Sequence, residues 1–85
     1  MTKKTIYVAY DRDIVDTICA ASTMDRAIQL TMRYMSAHDY QCTDFSYDDS
    51  YTIIECERIY RIGPDIKRDE ITITIMETNF YEEDE

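Results

Sequence analysis

Ser22–His38, STMDRAIQLTMRYMSAH, is the one long stretch with a helical period, and its reading decides the fold. Ser22 followed by Asp25 makes a capping-box-like start: the hydroxyl takes an orphan backbone N–H, and the carboxylate sits in the first turn. At about 100° per residue, Met24, Ala27, Ile28, Thr31, Tyr34, Met35 and His38 share one side, with Leu30, Met32 and Ala37 flanking them. Asp25, Arg26, Gln29, Arg33 and Ser36 take the other side. The apolar arc covers roughly 200° of the wheel, wider than the stripe of an ordinary surface helix. It predicts a helix laid deep against a sheet, or one whose extra flank meets another subunit. Met24, Met32 and Met35 read as flexible core filler, with an adaptable binding surface as the alternative.

Upstream of the helix, Thr5–Tyr10 alternates as a strand, with Ile6, Val8 and Tyr10 on one face and Tyr7 and Ala9 on the other. Asp11, Arg12 and Asp13 form a turn. Ile14–Ala21 reads as a strand with Ile14, Ile18 and Ala20 on one face; a short helix capped by Asp13 is the alternative. The acids Asp11, Asp13 and Asp16 lack the glycine and terminal glutamate of a calcium loop, and read as a solvated turn.

Downstream, Tyr40–Tyr47 and Tyr51–Ile62 read as a hairpin closed by Asp48, Asp49 and Ser50, which are good turn formers. In its second arm Ile54, Cys56, Tyr60 and Ile62 share a face that Arg58 interrupts, while Glu55, Glu57 and Arg61 point away. Gly63, Pro64 and Asp65 break the chain. Glu70–Thr78 is the clearest strand, with Ile71, Ile73 and Ile75 inward and Thr72 and Thr74 outward. Asn79–Glu85, NFYEEDE, reads as a flexible acidic tail. The chain is thus expected to form a single α+β domain over residues 1–85. Its order is β-β-α-β-β-β, an antiparallel sheet of four to five strands with one amphipathic helix on one face.

An apolar share of 45% supports a globular chain rather than a disordered one. The run after Thr2–Lys4 is too short for a signal sequence or a membrane span, which points to the cytoplasm. Cys19, Cys42 and Cys56 are odd in number with no CxxC, the pattern of reduced thiols. With His38 they match no zinc module, so no metal or other cofactor is expected.

Charge divides the chain. Residues 1–40 balance five acids against five bases; residues 41–85 carry thirteen acids against Arg58, Arg61, Lys67 and Arg68, the whole net charge of −9. That field repels nucleic acid and anionic membrane and steers basic partners inward. No glycine-rich phosphate loop, nucleophile elbow or histidine beside a nucleophile is present, and carboxylate pairs without a cleft do not make a hydrolase, so no enzyme is expected.

The stretch Asp39–Tyr51 interleaves Tyr40, Phe45, Tyr47 and Tyr51 with Asp39, Asp44, Asp48 and Asp49. Tyrosine gives contact area at low entropic cost, and carboxylates select a basic partner. Glu55 and Glu57 lie one register apart on a strand face, about 6.8 Å, and so present regularly spaced negative charge. The expected partner-binding residues are Asp44, Tyr47, Asp48, Asp49, Tyr51, Glu55 and Glu57. The expected partner is a basic protein surface that normally handles nucleic acid, blocked by charge imitation. In size, charge and tyrosine content the chain resembles small acidic bacteriophage proteins that inhibit host nucleases and defence complexes; no motif adds to that resemblance. The competing expectation is a homodimeric structural or accessory subunit, supported by the broad helix arc and by the β-prone last strand, which offers an edge.

Overall fold

A computed structural model describes residues 2–14 and 16–82. Among these residues five strands make one antiparallel sheet: β1 (Thr2–Asp11), β2 (Asp16–Ala21), β3 (Gln41–Ser46), β4 (Tyr51–Ile62) and β5 (Asp65–Glu82). One helix, the only one among the described residues, α1 (Met24–Ala37), connects β2 to β3. The order across the sheet is β2-β1-β5-β4-β3, so the last strand is the central one and β2 and β3 are the edges. This is the expected two-layer α+β arrangement.

The helix starts one residue later than the capping box suggests. Thr23 is the N-cap, and its Oγ1 accepts from the Arg26 N–H at 3.2 Å. Met24, Ala27, Thr31 and Met35 are buried, while Ile28 and Tyr34 pack against the core from the stripe's margins. The C-terminus closes as a Schellman motif. Tyr40 N–H donates to the Met35 carbonyl at 2.8 Å and Asp39 N–H to the Ser36 carbonyl at 3.3 Å, with Asp39 held at φ 60°. That closure drops Tyr40 against the core and aims the chain into β3.

The helix rests on β2, β1 and β5, and the core beneath it joins Ala9, Ile54, Cys56, Ile73 and Ile75 to the helix stripe. Ile73 and Ile75 face the helix as their alternation predicts. Thr72 and Thr74 take the opposite face, yet Thr74 is fully buried there. In β1 it is Tyr7 and Ala9 that face the helix, which leaves Ile6, Val8 and Tyr10 on the uncovered side.

Two strand readings need correction. β2 begins at Asp16, not Ile14, which sits in the turn and is 68% exposed. Nor do Ile18 and Ala20 share a face. The β1–β2 register shifts between Ala9 and Tyr10, leaving Ile18 as the extra residue of a bulge. Ile18 and Cys19 both reach the core, while Ala20 pairs with Val8 on the uncovered side. A bulge breaks the period of two, so alternation alone misassigns the residues beyond it.

β5 is longer at both ends than its isoleucine run. It starts at Asp65 because the outer half of β4 needs a partner, and Arg58–Asp69 and Glu57–Arg68 pairs tie the two strands. Gly63, at φ +59°, and Pro64 make the two-residue turn of that hairpin. At the other end residues 79–82, expected as the start of the tail, continue β5 alongside Thr2–Thr5, with Thr5 Oγ1 donating to Asn79 Oδ1 at 2.8 Å. Residues 83–85 of the expected tail lie outside the described residues.

The long β5 gives the molecule a 61 Å long axis against 23 and 19 Å across. Arg58–Ile62 and Asp65–Asp69 form a two-stranded arm, flanked by neither β1 nor β3. On it Ile59, Ile62 and Ile66 are 63%, 57% and 67% exposed.

Candidate functional site: an acidic aromatic corner

The β3–β4 turn is locked from several sides. Asp48 Oδ1 accepts from both the Ser50 N–H and the Ser50 hydroxyl at 3.0 Å, an Asx-type turn. Thr52, fully buried, donates its hydroxyl to the Asp48 carbonyl at 2.9 Å. Glu77 N–H donates to the Ser50 carbonyl at 2.8 Å, tying the turn to β5. The two bonds from Ser50 hold the Asp48 carboxyl below the usual range, so it stays ionised.

On this frame, the period of two puts Phe45 and Tyr47 on one side of the edge strand. Their rings stack at 6.5 Å between centroids and 20° between planes. They remain 42% and 52% exposed. Tyr47 OH donates to Asp49 Oδ1 at 2.7 Å. That bond, with some burial and the charges of Asp49, Asp25 and Asp48, pushes the Tyr47 hydroxyl up to about 12. A stacked aromatic pair beside Asp48 and Asp49 is therefore presented to solvent. Such a surface suits a guanidinium or ammonium group, which gains from ring faces and carboxylates together.

The seven sequence-derived residues do not form one site. Tyr47, Asp48 and Asp49 lie at the corner. Asp44, Glu55 and Glu57 lie on the uncovered face of the sheet, where Asp44 pairs with Glu55, and Gln41 with Glu57. Tyr51 is on that face too, opposite Met76 and half-buried. Glu57 is partly neutralised by Arg68, whose Nη2 lies 2.6 Å from its Oε2 and 3.0 Å from Glu70 Oε1. Phe45 belongs to the corner as well, and nothing in its own stretch marks it as a site member beyond the aromatic pattern.

Elsewhere on the helix side, Arg58 lies between the rings of Tyr40 at 4.8 Å and Tyr60 at 5.4 Å and pairs with Asp69. Its Nη1 reaches the His38 carbonyl at 3.5 Å, so it anchors the arm's root to the end of the helix. A shallow depression of about 160 Å³ lies among Thr43, Glu55, Glu70 and Thr72. It is smaller than the usual small-molecule pocket of about 300 Å³ and more. Among the described residues no cluster of His, Cys, Asp and Glu has metal-holding geometry, and no helix is long and apolar enough to cross a membrane.

The architecture is thus a single antiparallel sheet and helix with an acidic aromatic corner. Comparison with protein-family models, curated proteins and solved structures finds no significant match to this chain.

Proposed function

We propose that this protein is a small acidic binding module that engages a basic surface of another protein through the β3–β4 corner. The carrying observation is the exposed Phe45–Tyr47 stack with Asp48 and Asp49 beside it. The rigid turn keeps these groups in place before binding, which lowers the ordering cost of association. The partner chemistry is arginine- or lysine-rich, as in proteins that handle nucleic acid, and the corner occupies that surface in place of phosphates.

The test uses the chain immobilised on a sensor surface, with an arginine-rich peptide as first probe and then any protein captured from lysate. Lysine at Asp48 and Asp49 slows association and flattens its salt dependence. Tyr47→Ala instead raises the dissociation rate, as loss of an aromatic anchor does. The control pair is Asp13 and Asp16, both exposed. Asp11 does not serve, because it is 6% exposed and accepts the Asp13 N–H at 3.0 Å. Equal effects from the two pairs mean that overall charge alone acts, and the corner is then not the site.

A further inference from the structure

The uncovered face of the sheet changes character along β5 in steps of about 6.8 Å. Val8, Met76 and Tyr51 form one row, and Tyr10, Thr74 and Ile53 the next. Then come acids: Glu55 with Asp44 beside Thr72, and Glu57 with Glu70. On the arm, the same face continues with Ile59 beside Arg68, then Arg61 beside Ile66. The face therefore runs apolar, acidic, and finally basic and apolar.

We infer that this face docks against the same face of a second copy, with the two arms running in opposite directions. A two-fold axis lying in the interface, between the Glu57–Glu70 row and the Ile59–Arg68 row, reverses the order of rows. Arg68 then lies over Glu70 of the second copy, and Arg61 over Glu55. The arm tip reaches the row of Tyr10, Ile53 and Thr74. Each contact is made twice, as a two-fold interface requires. Among the described residues neither Arg61 nor Glu55 has an ion pair within its own chain.

The row order selects the occupant. A foreign basic surface would suit the acids but meet Arg61 and Arg68. A match needs the reverse order of rows, and a second copy turned by the two-fold supplies it. The arm also needs cover, since a two-stranded ribbon exposed on both faces is marginal alone. From Pro64 to Thr74 the chain spans about 34 Å; with a width of about 15 Å the projected area is on the order of 500 Å² per copy. That is below the ~800 Å² per partner of a standard interface, so the dimer depends on concentration. This surface is distinct from the corner and does not rest on its proposed role.

Sedimentation equilibrium of the chain alone, from micromolar to millimolar concentration, tests the inference. A monomer–dimer equilibrium is expected. Arg61→Glu and Glu55→Arg each weaken it by at least about tenfold, because like charges then oppose one another. An equimolar mixture of these two variants recovers association, since a mixed pair restores both contacts; the double variant recovers it too. Both side chains are exposed, so the variants keep the parent's circular dichroism. Ile66→Ser gives the same loss without touching a charge. A monomer at every concentration overturns the inference. So does a dimer indifferent to the single substitutions, or a mixture that fails to recover.

Discussion

Thr31 and Thr74 are both fully buried, one in the helix and one in the central strand, but of their two hydroxyls only that of Thr31 is hydrogen-bonded. Its Oγ1 donates to the Ala27 carbonyl at 2.8 Å, whereas Thr74 Oγ1 has no partner among the described residues. An unpaired buried hydroxyl carries its desolvation cost without return. Thr74→Val is therefore expected to raise stability by about 1 kcal/mol, and Thr31→Val to lower it by about the same amount. Urea unfolding followed by circular dichroism measures both, and a destabilised Thr74→Val contradicts the account.

Ile73 sits at the centre of the core, fully buried, with Ile54 and Asp11 as its cross-strand neighbours. Ile73→Ala is expected to cost about 2–4 kcal/mol through lost contacts and the cavity left behind. Ile59→Ala, on the exposed arm, is expected to stay within about 0.5 kcal/mol in dilute solution. The same denaturant titration separates the two, and similar losses at both positions would place the arm inside the folded core.

Asp48 gives the corner a pH dependence of known sign. Its bonds from Ser50 lower its value in the folded chain. A group depressed on folding stabilises above its unfolded value, near pH 3.9, and that contribution disappears as pH falls through the lowered folded value. Asp48→Asn removes the titration. The melting temperature of the parent should exceed that of the variant at about pH 6, and the two should converge towards about pH 2. A gap that persists at the acid end would show that the carboxylate charge is not what matters.

Cys42 and Cys56 are cross-strand partners, one exposed and the other buried. Burial, helped by the neighbouring Cys42 and Asp11, pushes the Cys56 thiol up to about 11. At pH 8 such a thiol is ionised to roughly one part in a thousand, so it is a poor nucleophile. A disulfide reagent should therefore label Cys42 first, and Cys42→Ser should remove that fast phase. Cys56 should react quickly only in denaturant. A fast phase that survives Cys42→Ser would contradict this order of reactivity.

The element order was legible in the sequence because it depends on local periodicity. The helix stripe from Met24 to Met35 and the alternation Ile71, Ile73, Ile75 each mark their own buried side. The turns at Asp48–Ser50 and Gly63–Pro64 follow from residues suited to them. The ends of β5 were not legible. Lys67, Arg68 and Asp69 look like a solvated loop until Arg58 and Glu57 are placed beside them on β4. The face of β2 was lost for a related reason: a bulge at Ile18 is a property of two paired strands and leaves no mark on one.

The candidate site divides in the same way. The alternation of tyrosines and acids between Asp39 and Tyr51, and the net charge beyond residue 40, are written in the chain. How those groups are shared out depends on the folded arrangement. Pairing in the sheet sends Asp44, Tyr51, Glu55 and Glu57 to the uncovered face and leaves Tyr47, Asp48 and Asp49 at the corner. Strand pairing also gathers Arg58, Arg61, Lys67 and Arg68 onto one arm. Side-chain identity and period are set within a few residues of chain. Which charges meet is set by contacts between residues distant in sequence, and no local pattern encodes that distance.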